Sequence, residues 1–312
     1  MSFSAIDKGL QQYLVITGSY WAFTLTDGAL RMLVVLYFHQ IGYTPLEIAL
    51  LFLFYEFLGV ITNLTGGWLG ARIGLNKTMH IGLFLQLAAL SMLLVPLNML
   101  GVVWVMCAQA LSGIAKDLNK MSAKSSIKLF VDGGTNGRLY RWVAGLTGSK
   151  NTMKGLGFFL GGLLLLAFGF QGAICILLAP IVIAIVSSLL LLKQELGKSE
   201  YKPKFREVFS GSKSVNRLSA ARFFLFGSRD IWFVIALPVY LSETLEWPHW
   251  QIGAFMAAWV VGYGLIQALA PKFTSSSDNT LPTAKLANWG LLHTSVAMDI
   301  VAQAVIIVAT VH

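Results

Sequence analysis

A chain of 312 residues with 56% hydrophobic and only 12% charged side chains is unlike a soluble domain, where roughly 25% of residues are charged. Its formal charge of +9 would suit a nucleic-acid binder, but the cations are spread over alternate inter-helix segments, which excludes that class. Nine apolar stretches follow one another, each near the roughly 20 residues that cross a hydrocarbon core of about 30 Å. They run over 13–38, 47–68, 78–97, 102–121, 153–170, 173–192, 220–241, 251–270 and 287–311. Period-two alternation is absent, which argues against a transmembrane β-barrel. The first stretch is too long for a signal sequence, and no cleavage site of small residues follows it. The expected class is an all-α polytopic membrane protein.

Lys and Arg set the orientation. With the N-terminus in the cytoplasm, all but Arg31 and Arg229 of the 23 Lys and Arg residues fall on inner segments or inner helix ends. The outer turns near 39–45, 96–101, 169–172 and 242–248 carry none. This is the positive-inside distribution of a multi-pass protein. Cys107 and Cys175 lie inside apolar stretches and read as small core residues rather than as a disulfide. No HExxH pattern occurs. Gly197-Lys198-Ser199 ends like a phosphate-binding loop, but the Gly that such a loop requires is Leu192. No cofactor, metal site or enzyme constellation is expected.

The chain reads as two related halves. Residues 1–192 hold six stretches, 193–217 form a basic linker containing Pro203, and 218–312 hold three more. Phe23 to Asp27 in the first stretch matches Phe226 to Asp230 in the seventh, and the same offset pairs Tyr37 with Tyr240 and Pro45 with Pro248. Parallel six-helix repeats of this kind mark one large transporter class.

The segment after the second stretch reads Gly67-Trp68-Leu69-Gly70-Ala71-Arg72-Ile73-Gly74-Leu75-Asn76-Lys77. It resembles the signature loop of the major facilitator superfamily, Gly-x-Leu-Ala-Asp-Arg-x-Gly-Arg-Lys. Gly67, Leu69, Arg72 and Gly74 match; Ala71 stands where the signature is acidic, and Gln109 where many members have Arg. Gly67, Arg72 and Gly74 are the expected gating loop, with Arg72 placed to bond a helix carbonyl end. A closer resemblance runs from about Gln12 to Lys272. Segments 20–31 (YWAFTLTDGALR), 110–128 (ALSGIAKDLNKMSAKSSIK) and 218–230 (LSAARFFLFGSRD) are similar to the organoarsenical efflux permeases of the ArsJ type. The resemblance implies a bacterial inner-membrane exporter of 1-arseno-3-phosphoglycerate that confers arsenate resistance. It also implies glyceraldehyde-3-phosphate dehydrogenase as the partner that makes this compound. The family has twelve helices, so a C-terminal part is expected to be missing from the nine found here.

Charges at membrane depth are the candidate site, since each costs several kcal/mol unless it is used or paired. Asp27 and Arg31 share one face of the first stretch at i, i+4. Arg229 and Asp230 lie near the middle of the seventh, and adjacent residues point about 100° apart, so they do not pair readily with each other. Two guanidiniums from opposite halves could clamp an anionic group. The competing reading is that Asp27 merely neutralises Arg31. Lys116, Lys120, Lys124 and Lys128 are each four residues apart and form a basic stripe leading to the cytoplasm. It reads as an electrostatic funnel for an anion, to which Lys154 adds, or as lysines reaching for the interface. The candidate substrate-binding residues are therefore Arg31, Lys116, Lys120, Lys154 and Arg229. Proton coupling falls to Asp27, Glu56 or Asp230, with Asp299 as a further carboxylate. The alternatives are an organophosphate or sugar-phosphate transporter, and a sensor or scaffold that keeps the fold without transport.

Overall fold

The computed structural model describes residues 3–130, 136–192 and 231–274, and every regular element among them is helical. The chain divides into two compact units, Met1–Ala268 and Leu269–His312. Apart from the last few residues of the final helix, the described helices belong to the first unit.

Helix α1 (Phe3–Gln40) has 38 residues and is about 57 Å long at 1.5 Å per residue, well beyond a single hydrocarbon crossing. It begins earlier than hydropathy alone predicts, because helical geometry continues past the point where apolar composition stops. The second predicted stretch is two stacked helices, α2 (Pro45–Leu51) and α3 (Leu53–Ile73). Thr44 caps α2 in a reciprocal box with Glu47, and Pro45 takes the first turn, where its missing N–H costs nothing. Phe52 bends the pair, yet the Glu56 amide still reaches the Phe52 carbonyl at 3.1 Å. Gly74, with φ 98°, is the single residue between α3 and α4 (Leu75–Met92). A short 3-10 turn, Leu97–Met99, then leads to α5 (Val102–Phe130).

The fifth and sixth predicted stretches are one run, α6 (Asn136–Leu191), broken at Gly169, whose φ of 67° is open to glycine at little cost. The two arms are antiparallel. Along the first, Ser149 accepts a bond from Trp21, and Gly157 lies against Leu25 to Ala29 of α1. Phe170, just past the break, stacks on Tyr37 at 4.4 Å. The returning arm follows α4 backwards: Gln171 donates to the Val95 carbonyl at 3.0 Å, and His80 meets the Ser188 backbone. After the linker come a π-helical turn, Ile231–Ala236, then α7 (Leu237–Glu243) and α8 (His249–Thr274). Helix α8 runs antiparallel to the first arm of α6, with Gly148 against Gly264, Gly155 against Ala257 and Gly162 against Gly253 and His249. The predicted stretch 287–311, the linker 193–217 and residues 220–230 lie outside the described residues.

The bundle buries polar and charged side chains within an otherwise apolar core and leaves large apolar ones exposed. Asp27, Arg31, Gln86, Gln109, Asp117 and Asn119 are buried, whereas Phe57, Phe168, Ile183 and Ile266 are largely exposed. Water would not tolerate that distribution, but a bilayer favours it. Gln11–Gln40, Leu46–Asn63 and Trp142–Leu191 are long and apolar enough to cross a membrane, and the last, at 50 residues, suffices for two crossings folded at Gly169. Helix α5 is less apolar and carries the half-buried Lys116, Lys120 and Lys124 along one side.

Candidate functional site

The site forms where α1, α3 and α5 meet. Helices α3 and α5 cross closely at Gly113, where a Cβ would fall 2.9 Å from the Tyr55 Cα. On the other side of the crossing, Gly59 leaves room for Asp117 and Lys116, whose Oδ2 and Nζ lie 3.1 and 3.6 Å from the place a Cβ would occupy. The crossing sets the fully buried Tyr55 ring against two cations. The Arg31 guanidinium of α1 sits 4.0 Å from its centroid and the Lys116 ammonium of α5 sits 4.1 Å from it. Both distances are within cation–π range. The Tyr55 hydroxyl donates to Asp27 at 2.6 Å. Phe52, at the bend before α3, adds a second ring 5.8 Å from Arg31.

Glu56 bridges the same two cations. Its Oε1 accepts from Arg31 Nη2 at 2.6 Å, and its Oε2 lies 3.6 Å from Lys116 Nζ. The Glu56 side chain is 39% exposed while that of Arg31 is 3% exposed, so the carboxylate closes the open side of a buried guanidinium. Among the described residues, Glu56 of α3 is a carboxylate that meets Arg31, while Asp27, its neighbour along α1, is bonded by Tyr55. One helical turn inward, Lys120 donates to Asp117 at 2.8 Å and to Asn63 of α3 at 3.2 Å. Lys154 of α6 lies 5.5 Å over the Phe158 ring, and its carbonyl packs against Gly28. Helices α5 and α6 touch, and Lys150 stands one turn before Lys154 on α6.

The structure thus brings Arg31, Glu56, Lys116 and Lys120 onto one continuous polar face and sets Lys154 on the neighbouring helix. In the segment expected to gate, Gly74 makes the turn, Gly67 packs on Met121 of α5 and Arg72 lies 5.2 Å over the Trp68 ring. Arg229, Asp230 and Asp299 lie outside the described residues. Tyr55 escaped sequence reasoning. Its one signal was a phenol next to the lone carboxylate of an apolar helix. Asp117, which Lys120 bonds, is likewise not among the residues the sequence singles out. At the outer end of the bundle, His39 of α1 faces Glu243 of α7 across 3.7 Å.

Chemically, the centre is a carboxylate held by two cations on an aromatic platform. An anion arriving there meets groups that already bind a carboxylate, and protonation of Glu56 would release both cations.

An all-helical bundle with an apolar surface and a charged interior is the architecture of a multi-pass membrane protein. The sequence matches the Major Facilitator Superfamily over residues 16–308, and the chain belongs to that family. Solved structures share its fold. One is a bacterial homologue of the human drug peptide transporters PepT1 and PepT2, with 14% identity and TM-score 0.52 over 83% of this chain and 55% of that one. A second is tetrameric PepTSo2, with 13% identity and TM-score 0.52 over 89% of this chain and 57% of that one. A third comes from work on substrate recognition in proton dependent oligopeptide transporters, with 14% identity and TM-score 0.62 over 88% of this chain and 71% of that one. At these identities the likeness is one of fold. The chain spans a little over half the length of the first two. No curated protein matches it.

Proposed function

We propose that this chain moves a small organic anion across the bacterial inner membrane by alternating access, and that it does so as an exporter. The observation that carries the reading is the pair of interior cations, Arg31 and Lys116, meeting at one carboxylate on the Tyr55 ring. Interior cations joined to a lysine path toward the cytoplasmic ends of α5 and α6 suit an anion loaded from inside. Glu56 holds the site in the anion's absence, and its protonation would couple substrate release to proton movement. Asp27 and Asp230 are the other coupling candidates, and Arg229 the second guanidinium of the clamp.

Within that class, the substrate we propose is 1-arseno-3-phosphoglycerate, made by glyceraldehyde-3-phosphate dehydrogenase, with arsenate resistance as the outcome. Its support is the sequence resemblance at 20–31, 110–128 and 218–230, together with an interior suited to oxyanions. Two cysteines cannot build the three-thiolate site that free arsenite favours. A phosphorylated metabolite is the second reading, since the same cations would bind it.

Everted vesicles carrying the protein test both. Arsenate, glyceraldehyde-3-phosphate, oxidised nicotinamide cofactor and the dehydrogenase are supplied outside, and arsenic inside is measured. The reading expects accumulation only with the complete mixture. Accumulation from arsenate alone would overturn the organoarsenical. Uptake of labelled sugar phosphates without arsenic would establish the second reading in its place.

A further inference from the structure

Helices α1 and α7 meet at the end of the bundle expected to face outward, and a titratable side chain stands on each side of their contact. His39, in the last turn of α1, has its Nδ1 3.7 Å from Oε1 of Glu243, the last residue of α7. Nδ1 is buried and makes no hydrogen bond. The gap is longer than a hydrogen bond and within ion-pair range, so the charge on the ring decides what the contact is worth. No other polar contact joins the two helices among the described residues. Deeper in, the junction is closed. Val35, one turn before His39 on the same face of α1, is fully buried, and Val239, one turn before Glu243 on α7, is buried too. The two titratable side chains therefore stand at the rim, 15% and 52% exposed, where the junction opens to solvent.

The remaining charged and titratable groups of this end are engaged elsewhere or carry the same sign as His39. Glu47 of α2 is taken up by the amide and hydroxyl of Thr44. Glu246 is exposed in the turn after α7, and Tyr37, Tyr43 and Tyr240 are the phenols nearby in sequence. His249 opens α8; burial, and then the charge of His39, hold its imidazole below the usual range. Glu243 is thus the carboxylate placed to answer a charge on His39.

We propose that His39 and Glu243 form a proton-operated latch: a proton from the outer solution charges His39, the ion pair with Glu243 draws α1 onto α7, and the outer end closes. This rests on the alternating-access reading for its purpose, but not for its chemistry. The contact strengthens as pH falls through the range in which imidazole gains its charge and weakens as pH rises through it, and acid strong enough to neutralise Glu243 undoes it. In an exporter, an outer solution rich in protons closes the emptied carrier and returns it to load from inside.

Cysteine labelling of the full chain in nanodiscs is the test. With Cys107 and Cys175 replaced by serine, Val35→Cys reports opening of the junction, and the exposed Met99→Cys corrects for the effect of pH on the maleimide reaction itself. The ratio of the two rates should be about threefold lower at about pH 5.5 than at about pH 8. His39→Gln and Glu243→Gln should each remove the dependence, and His249→Gln should keep it. A ratio indifferent to pH in the parent protein, or a dependence that survives His39→Gln, would overturn the latch. So would a dependence that disappears with His249. The two readings fail separately. Anion transport alongside a pH-indifferent ratio removes the latch alone, and a His39-dependent ratio without transport of any anion removes the transport reading alone.

Discussion

Tyr55 does two jobs with one side chain, and the two can be separated. Its ring lies under Arg31 and Lys116, and its hydroxyl holds Asp27. In Tyr55→Phe the ring persists and a buried carboxylate loses its donor, so thermal unfolding should show a loss of about 1–2 kcal/mol with anion affinity largely kept. Tyr55→Leu removes the platform as well, and affinity should fall with it. The Arg31–Glu56 bridge is a coupled pair rather than two independent contacts. A double-mutant cycle with Arg31→Met and Glu56→Gln is expected to give an interaction of about 1–3 kcal/mol, with the double variant more stable than Glu56→Gln alone. Additive losses would show that the bridge carries no net energy. Residue types at bilayer depth were enough to mark Arg31, Glu56 and Lys116 in the sequence, because a charge there always needs a reason. Which carboxylate meets which cation was not legible, since Asp27 is closer to Arg31 in sequence and Glu56 is the partner in space.

At the scale of elements, the site depends on how near α3 comes to α5. Gly113 is the point of contact, with the Tyr55 backbone where a Cβ would stand. Gly113→Ala should force the helices apart and cost about 2 kcal/mol or more, while also loosening Lys116 from the Tyr55 ring. Gly18 on α1 has nothing within 4 Å of the position a Cβ would take, so Gly18→Ala should be neutral or stabilise by about 0.5–1 kcal/mol. Comparable losses from both would mean that helix propensity, and not the crossing, decides the outcome. The break in α6 is similarly local. Two predicted stretches meet at Gly169, and only the backbone shows that no loop is needed between them. The ends of α1, α5 and α6 lie beyond the predicted stretches for one reason: hydropathy follows the membrane, while hydrogen bonding carries a helix past it.

For the whole molecule, an apolar surface over buried charges fixes the surroundings, and the cations set the expected direction. Orientation is open to a direct check. With Cys107 and Cys175 replaced by serine, Met99→Cys should react with an impermeant maleimide on intact cells, and Lys77→Cys only in everted vesicles. The reverse pattern would invert the topology and with it the direction of the lysine path. The contact of His39 with Glu243, at 3.7 Å, ties α1 to α7 at the expected outer end. In Glu243→Gln, a cysteine placed at Ile41 should label faster if that contact helps to hold the outer end closed, and unchanged labelling would show that it does not.

The sequence by itself determined the class and the stock of charges, and set an expectation for the direction. Membrane crossing is set by composition over some 20 residues, and orientation by the placement of Lys and Arg, both of which are local sums. The signature loop likewise lies within eleven consecutive positions. Only the tertiary structure decided that Glu56 sits between Arg31 and Lys116 and that the Tyr55 ring meets both cations. Those pairings depend on helix crossings, and a crossing is set by the shapes of two distant segments at once, through glycines such as Gly113 and Gly59 whose meaning appears only when the partner helix is in place.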